Sequence, residues 1–273
     1  METFNWIQYL NNYSDLRAAG IKDQQGAYRH YLKYGKKEGR TDQVIVEEQV
    51  IPTDNKKLLE IQSKIKLVHG DFNMEIPEML MSINYLTGTE KVLELGSNVG
   101  RNTFIIASIL NSNGNSNFVT LECNTDTYNM LIVNKNNNNF DFFTENCALS
   151  SKYVFSKGWD TITKDTPEVP HGYIGVKTIT FTELLNKYKI NFDTLVLDCE
   201  GSFYYILQQF PEILDNIKLI ITENDYHELD HLNYVTDTLI NKGFKNVYRK
   251  NLLKDDCFDQ IVLDRFFEVW TIN

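Results

Sequence analysis

The 273-residue chain is poor in cysteine, with four, and in proline, with five. Cys123, Cys147, Cys199 and Cys257 form no CxxC pair and no even spacing, which argues against a disulfide framework. No leader is legible in the first thirty residues, so reduced thiols and a cytoplasmic setting are expected. Long apolar runs are missing as well; the longest are short and broken by charge, so no membrane span is expected. Positive charge is also in deficit. A formal net charge of -10 excludes a general phosphate-backbone binder, and no nucleic-acid partner is expected. A small nucleotide-like ligand held by a few groups remains compatible with it. What is present is ordinary globular material: 42% hydrophobic residues, enough for one α/β domain plus a short appendage.

Charge divides the chain. Residues 1–40 carry seven Lys/Arg and four Asp/Glu, a surplus of three, which leaves -13 for the rest of a chain whose total is -10. With the change of character after Arg40, this predicts a small helical module over 1–40, a linker and leading helix over 41–64, and a main domain over 65–273. Trp6, Ile7, Tyr9 and Leu10 share one helical face, and Ala27, Tyr28, Tyr31 and Leu32 another; their aromatics read as the core of a very small unit. Lys33, Lys36, Lys37 and Arg40 read as a solvated face or docking patch.

Beyond a β-like run at 44–51, helical spacing appears at about 55–67 and 75–86, and the chain then alternates strand and helix. Strands are predicted near 91–95, 117–121, 140–144, 176–180, 192–197, 217–222, 244–248 and 265–270. Helices are predicted over about 101–111, 126–137, 181–188, 202–214 and 228–242. Leu195–Leu197 and Leu219–Ile221 are apolar without alternation, as in a mostly parallel sheet covered on both faces. Asn113–Asn117 and Asn134–Asn139 read as turns.

Chemistry concentrates at the ends of the predicted strands. In Val92-Leu93-Glu94-Leu95-Gly96-Ser97-Asn98-Val99-Gly100 an apolar strand carrying an acid gives way to a glycine turn, and a helix follows. Gly96 and Gly100 let backbone approach a ligand, and the helix start offers free N–H groups. The pattern is ExGxxxG, whereas a dinucleotide site would show GxGxxG. Glu122 ends the next strand, where nucleotide-binding α/β folds place an acid on ribose hydroxyls. Asn146, after the third strand, could meet an adenine edge, although a loop Asn is more often a turn former. Asp198 and Glu200 follow one strand, and Glu223 and Asp225 the next. Carboxylates converging there would repel one another, raising their pKa values or demanding a cation; helix capping is the plainer role. His227 and His231, four apart, would share a helix face, and Trp159 could stack on a sugar ring from a long loop.

The ordered set VLELGSNVGRNT, TLEC, ENCALS, IGVKTITFTELL, FDTLVLDCEG, ITEND and terminal FFEVW resembles the FkbM-type class I S-adenosylmethionine-dependent methyltransferases, nearest the branch from large DNA viruses, over roughly residues 65–273. That likeness implies a Rossmann-like, seven-stranded, mostly parallel sheet with a reversed last hairpin, and, for a viral chain, a host cytoplasm. It implies S-adenosylmethionine bound by Glu94, Gly96, Asn98 and Gly100, with Asn102 and Thr103 opening the helix, Glu122 on ribose, and Asn146 and Ala148 by the adenine. It departs from many relatives at Phe203, where they carry a second acid, and at Cys123, where they carry proline. The first departure weakens a two-acid acceptor site. Residues 1–40 are similar to a short module found beside glycan-processing enzymes, which makes a homo-oligomer or a glycan-processing partner an expectation there.

The expected reaction is O-methylation of a sugar or glycan hydroxyl. Asp198, Glu200 and His69 are the candidate catalytic residues, and Asp198, Glu223 and Asp225 the candidate ligands of a divalent cation such as magnesium. A nicotinamide oxidoreductase is disfavoured by the missing GxGxxG. The remaining rival is an inactive methyltransferase-like scaffold in a glycan-processing assembly.

Overall fold

A computed structural model describes residues 4–40, 42, 55–158, 160–253, 255 and 257–272. The β-like run expected at 44–51 and the candidate Trp159 lie outside the described residues. The chain divides into two compact units, Met1–Val50 and Ile51–Asn273.

The first unit contains α1 (Trp6–Asn12), α2 (Ser14–Ala18) and α3 (Gln24–His30), the last running into a π-helical turn over Tyr31–Gly35. Asn5 and Asp23 cap α1 and α3 by accepting the N–H groups of Gln8 and Gly26 at 3.0 and 2.7 Å. Tyr9, Leu10, Leu16 and Ala27 form the core, ringed by Phe4, Trp6, Tyr13, Ile21 and Tyr31. Lys33, Lys36 and Lys37 are exposed, but Arg40 does not belong with them. It pairs with Asp15 and Glu38 and lies over the Tyr13 ring, closing this small fold.

In the second unit α4 (Asn55–Gln62) and α5 (Ile76–Tyr85) precede the alternation β1 (Val92–Leu95), α6 (Arg101–Asn111), β2 (Phe118–Leu121), α7 (Thr125–Asn136) and β3 (Phe143–Glu145). Next come β4 (Ala148–Leu149), β5 (Tyr153–Lys157), β6 (Asp160–Lys164), β7 (Ile174–Val176), β8 (Thr178–Ile179) and α8 (Phe181–Tyr188). The chain closes with β9 (Thr194–Leu197), α9 (Phe203–Gln209), β10 (Leu219–Glu223), α10 (Leu229–Asn241), β11 (Lys245–Lys250), α11 (Gln260–Leu263) and β12 (Phe267–Thr271).

The main sheet has seven strands in the order β11-β12-β10-β9-β1-β2-β3, with only β12 antiparallel to its neighbours. This is an α/β, Rossmann-like fold with a reversed last hairpin. From β1 the chain steps outward through β2 to β3, and later from β9 through β10 in the opposite sense. Right-handed crossovers therefore place α6 and α9 on opposite faces, and strand order reverses between β1 and β9. β1, β2 and β9 are buried along their whole length, as continuous apolar strands between two helix layers should be.

Three expectations are corrected. The strand expected at 176–180 is two short pieces outside the main sheet: β7 pairs antiparallel with β5, and β8 pairs parallel with β4. The supposed long loop before it contains the β5–β6 pair, whose Val154 and Phe155 are buried. The helix expected over 202–214 ends at Gln209, because Pro211 cannot continue it, and a short 3-10 turn (Pro211–Leu214) follows. Among the described residues no helix is long and apolar enough to cross a membrane.

Candidate active site

The switch between β1 and β9 opens a cavity at the strand tips, where open α/β sheets place their ligands. Leu95 pairs with Leu121 on one side and Leu197 on the other. The residues that follow these strands, Gly96, Glu122 and Asp198, are thereby brought to one rim, and all three line the cavity. Asn98, Ala148, Glu200 and Cys199 line it too, as do Cys123 and Cys147, so three of the four cysteines face this space. Burial pushes the Cys123 thiol up to about 11 and Cys147 up to about 12, which leaves both un-ionised at neutral pH. Val154, Thr161 and Thr163 of the unexpected β5–β6 pair also line the cavity, as do Tyr205 and Gln209 of α9.

Gly96 adopts φ +88°, and its Cα faces the Asp198 peptide so closely that an added Cβ would fall 1.6 Å from the Asp198 carbonyl oxygen. Asn98 takes the left-handed φ of 48°, and Gly100, at φ +98°, forms the N-cap of α6. Glu122 holds this turn. One of its carboxylate oxygens accepts the Asn98 N–H at 2.9 Å and the other the Asn124 N–H at 2.8 Å. Each oxygen keeps a lone pair for a ligand. Asn146 buttresses the same rim, donating to the Glu122 carbonyl at 2.9 Å and accepting from Thr125 at 3.0 Å; it does not line the cavity.

Glu94, Asn102 and Thr103 are placed behind the turn and not on the cavity wall. Glu94 is 1% exposed, and one of its oxygens accepts the Thr103 and Thr120 hydroxyls at 2.7 and 2.6 Å, tying β1 to β2 and α6. Asn102 accepts the Ser82 hydroxyl at 2.8 Å, fastening α6 to α5. Burial outweighs the two hydroxyl bonds and pushes the Glu94 carboxyl up to about 8. The folded state therefore keeps a proton that the unfolded chain releases near its ordinary value of 4.5, and the associated stability is lost as pH rises towards 8. Glu94→Gln cannot titrate. Its thermal midpoint, relative to the natural chain, should rise between pH 5 and pH 8; a pH-independent difference would contradict the assignment.

His69 is half-buried and stands away from the cavity lining. Its segment is clamped by Asn134, which is fully buried within α7 and not in a turn. Asn134 accepts the Val68 and His69 N–H groups at 2.7 and 3.0 Å and donates to the His69 and Val99 carbonyls at 2.9 and 2.8 Å. Arg101 adds a second tie, donating to the Asp71 carbonyl and the Glu75 carboxylate, each at 2.7 Å. His227 precedes α10, stacked on Phe258 at 5.0 Å, while His231 lies within α10 stacked on Tyr204 at 3.7 Å. They share no helix face.

Asp198 borders both the cavity and a group of acids. Parallel register sets Leu197 beside Thr222, so Asp198 and Glu223 emerge side by side. Burial pushes Asp198 well up, with Asp225, Glu75, Glu78 and Glu200 adding to the rise. Glu223 is raised by burial and by a hydrogen bond with Glu78. Asp225 is 4% exposed, accepts the Gly201 N–H at 2.6 Å, and is pushed up to about 7 by burial and by Glu200. Glu75 and Glu78, at the start of α5, are absent from the sequence-based site. Among the described residues no three His, Cys, Asp or Glu side chains are arranged to hold a metal ion, Asp198, Glu223 and Asp225 included.

No protein-family model and no curated protein matches the chain. Solved structures similar to it include methyltransferase FkbM from Methylobacillus flagellatus, at 11% identity and a TM-score of 0.46 over 80% of this chain. The chain spans 58% of that protein's length. An O-methyltransferase from Bacillus cereus, solved with S-adenosylhomocysteine (SAH), is 14% identical, with a TM-score of 0.41 over 84% of this chain and 95% of its own. A member of the NADB-Rossmann superfamily from Streptococcus agalactiae is 12% identical, with a TM-score of 0.42 over 72% of this chain and 68% of its own. Likenesses this distant assign no activity.

Proposed function

We propose that this chain is an S-adenosylmethionine-dependent O-methyltransferase of the FkbM type with a sugar hydroxyl as acceptor. The reading is carried by one observation: the Gly96 turn, the Glu122 carboxylate and Asp198 meet at the rim of one cavity at the sheet's switch point. These residues suit the donor. Gly96 lets the turn pack directly against the Asp198 peptide, Glu122 retains two free lone-pair directions for ribose hydroxyls, and Leu121, Ala148 and Leu149 offer an apolar surface for a base. The bound donor would supply an electrophilic methyl group on a sulfonium.

The protein's part is to position the acceptor and take its proton. Asp198 is the proposed base. Burial and the neighbouring acids raise its carboxyl well above the usual carboxylate range, which makes the ionised group a stronger base. Glu200, exposed at the same rim, would orient the acceptor. The acids do not suit a magnesium ion, so no step is assigned to one.

The test pairs binding with turnover. SAH should bind the natural chain and Asp198→Asn with similar affinity, measured by calorimetry. Transfer of labelled methyl to a panel of sugars should fall by about a hundredfold or more in the variant. Undiminished transfer by Asp198→Asn would remove its role; failure of the natural chain to bind SAH would remove the function.

A further inference from the structure

Helix α9 joins the cavity to a cluster of aromatic side chains at the surface, and what that cluster implies about the acceptor rests on the methyl-transfer reading. Ser202, Tyr205, Ile206 and Gln209 all line the cavity. Spacings of three and four put them on one face of the helix that Ser202 opens. Ile206 is buried, but Tyr205 is 38% exposed, so its side chain both borders the cavity and meets solvent. Tyr204, beside it, meets α10: the His231 ring lies flat on it at 3.7 Å, with 15° between the planes. Tyr234, further along α10, meets Tyr204 edge-on at 5.2 Å and is 40% exposed. Tyr205 meets Tyr204 and His231 edge-on too, at 4.9 and 5.3 Å. Among the described residues no ring stacks flat on Tyr205 or Tyr234.

Both tyrosines are thus braced by their neighbours while a large part of each ring is left to solvent. Tyrosine offers a rigid amphipathic contact, apolar on its faces and polar at its tip, and ordering it on a ligand costs little rotamer entropy. Charge narrows the ligand. Helix α9 carries no charged residue, and α10 carries only Asp230 and Asp237 besides His231, with Glu228 just ahead of it. A phosphate-bearing or otherwise anionic partner would be repelled, with no Lys or Arg on either helix to neutralise it. A pyranose ring fits instead: its C–H faces are apolar, its hydroxyls lie round the edge, and it has no charge. We propose that the acceptor is a neutral oligosaccharide or polysaccharide, one sugar of which enters the cavity towards Asp198 while a neighbouring sugar of the same chain packs on Tyr205 and Tyr234. A single sugar would leave this surface bare. A chain gains the second contact without a second loss of translational freedom.

The experiment is calorimetry on the full chain saturated with SAH, titrated with glucose, mannose and N-acetylglucosamine and with cellotetraose, mannotetraose and chitotetraose. A hyaluronan tetrasaccharide is the anionic comparison. At least one neutral tetrasaccharide should bind about tenfold or more tightly than its own monosaccharide, the worth of one stacked ring. Tyr234→Ala should reduce that ratio to about twofold while SAH still binds. Tyr205→Ala should reduce it as far, and Tyr205→Phe, which keeps the ring, should preserve it. Tetrasaccharides no tighter than monosaccharides, no binding of any sugar, a ratio unchanged in Tyr234→Ala, or an equal gain with the anionic tetrasaccharide would each overturn the proposal. Failure of SAH to bind would instead strike the methyl-transfer reading, and the length preference can then be read on the protein without it.

Discussion

Gly96→Ala is expected to weaken SAH binding by about a hundredfold or more and to destabilise the fold by about 3 kcal/mol. Two effects add. The residue sits at φ +88°, a conformation that costs an L-residue about 1–2 kcal/mol. The new methyl would also lie 1.6 Å from the Asp198 carbonyl oxygen and 2.6 Å from its carbon. Both are backbone atoms, so no side chain can turn aside. β9 would have to move from β1, straining the bond from the Asp198 N–H to the Leu95 carbonyl, now 3.0 Å. That movement would displace the rim where Gly96, Glu122 and Asp198 meet. Gly114→Ala is the matched control: φ there is +67°, but nothing lies within 4 Å of the added carbon. It should lose about 1–2 kcal/mol and leave SAH affinity unchanged. Thermal unfolding and calorimetry on both variants decide the matter. Near-natural SAH affinity in Gly96→Ala would mean that the ligand does not lie against this turn.

The same turn was the most legible part of the sequence. Helix α6 spans Arg101–Asn111, as its apolar spacing after the ExGxxxG turn predicts, because strand, glycine turn and helix start are all local signals. The doubly wound order was legible for a related reason: strands buried on both faces show as unbroken apolar runs. Where the signal is not local, the sequence falls short. The β5–β6 pair holds Val, Phe, Ile and Thr on either side of Gly158, yet strands of only five residues resemble loop in the sequence. Glu75 and Glu78 precede β1 and meet Asp198 only because α5 lies against β10, a contact no spacing rule foresees. Asn134, in an asparagine-rich stretch that suggested a turn, is instead the clamp between the His69 segment and Val99. Glu94 shows the limit of motif reading most clearly. Its place in the motif suggested ligand contact, while its bonds to Thr103 and Thr120 make it a buried brace for the turn.

Glu268→Gln is expected to cost about 3–5 kcal/mol, the range for breaking a buried ion pair by removing one charge. Glu268 and Arg265 are each 1% exposed, and the Arg265 guanidinium donates to both oxygens of Glu268 at 2.9 and 3.1 Å. Arg249 of β11 donates to the same carboxylate at 2.9 Å, Asn224 at 3.0 Å and the Trp270 indole at 3.2 Å. Five donors thus meet on one acid of β12, the reversed strand, and fix it to β11 and to the tip of β10. Burial alone would raise the Glu268 pKa, but the Arg265 and Arg249 guanidiniums outweigh it and hold the carboxyl below its ordinary 4.5. The sign of the linkage follows. The unfolded chain takes up this proton first, so the stabilisation is fully present above pH 4.5 and disappears as pH falls through the folded value. Urea unfolding should show the natural chain losing stability below that pH more steeply than Glu268→Gln, whose amide cannot titrate. Arg265→Met should be comparably damaging, because it leaves the acid with one guanidinium in place of two. The double variant should lose less than the two single losses together, since neither buried partner is then left facing a missing charge. Strict additivity would show that Arg265 and Glu268 stabilise the hairpin separately, with Arg249 alone compensating the acid.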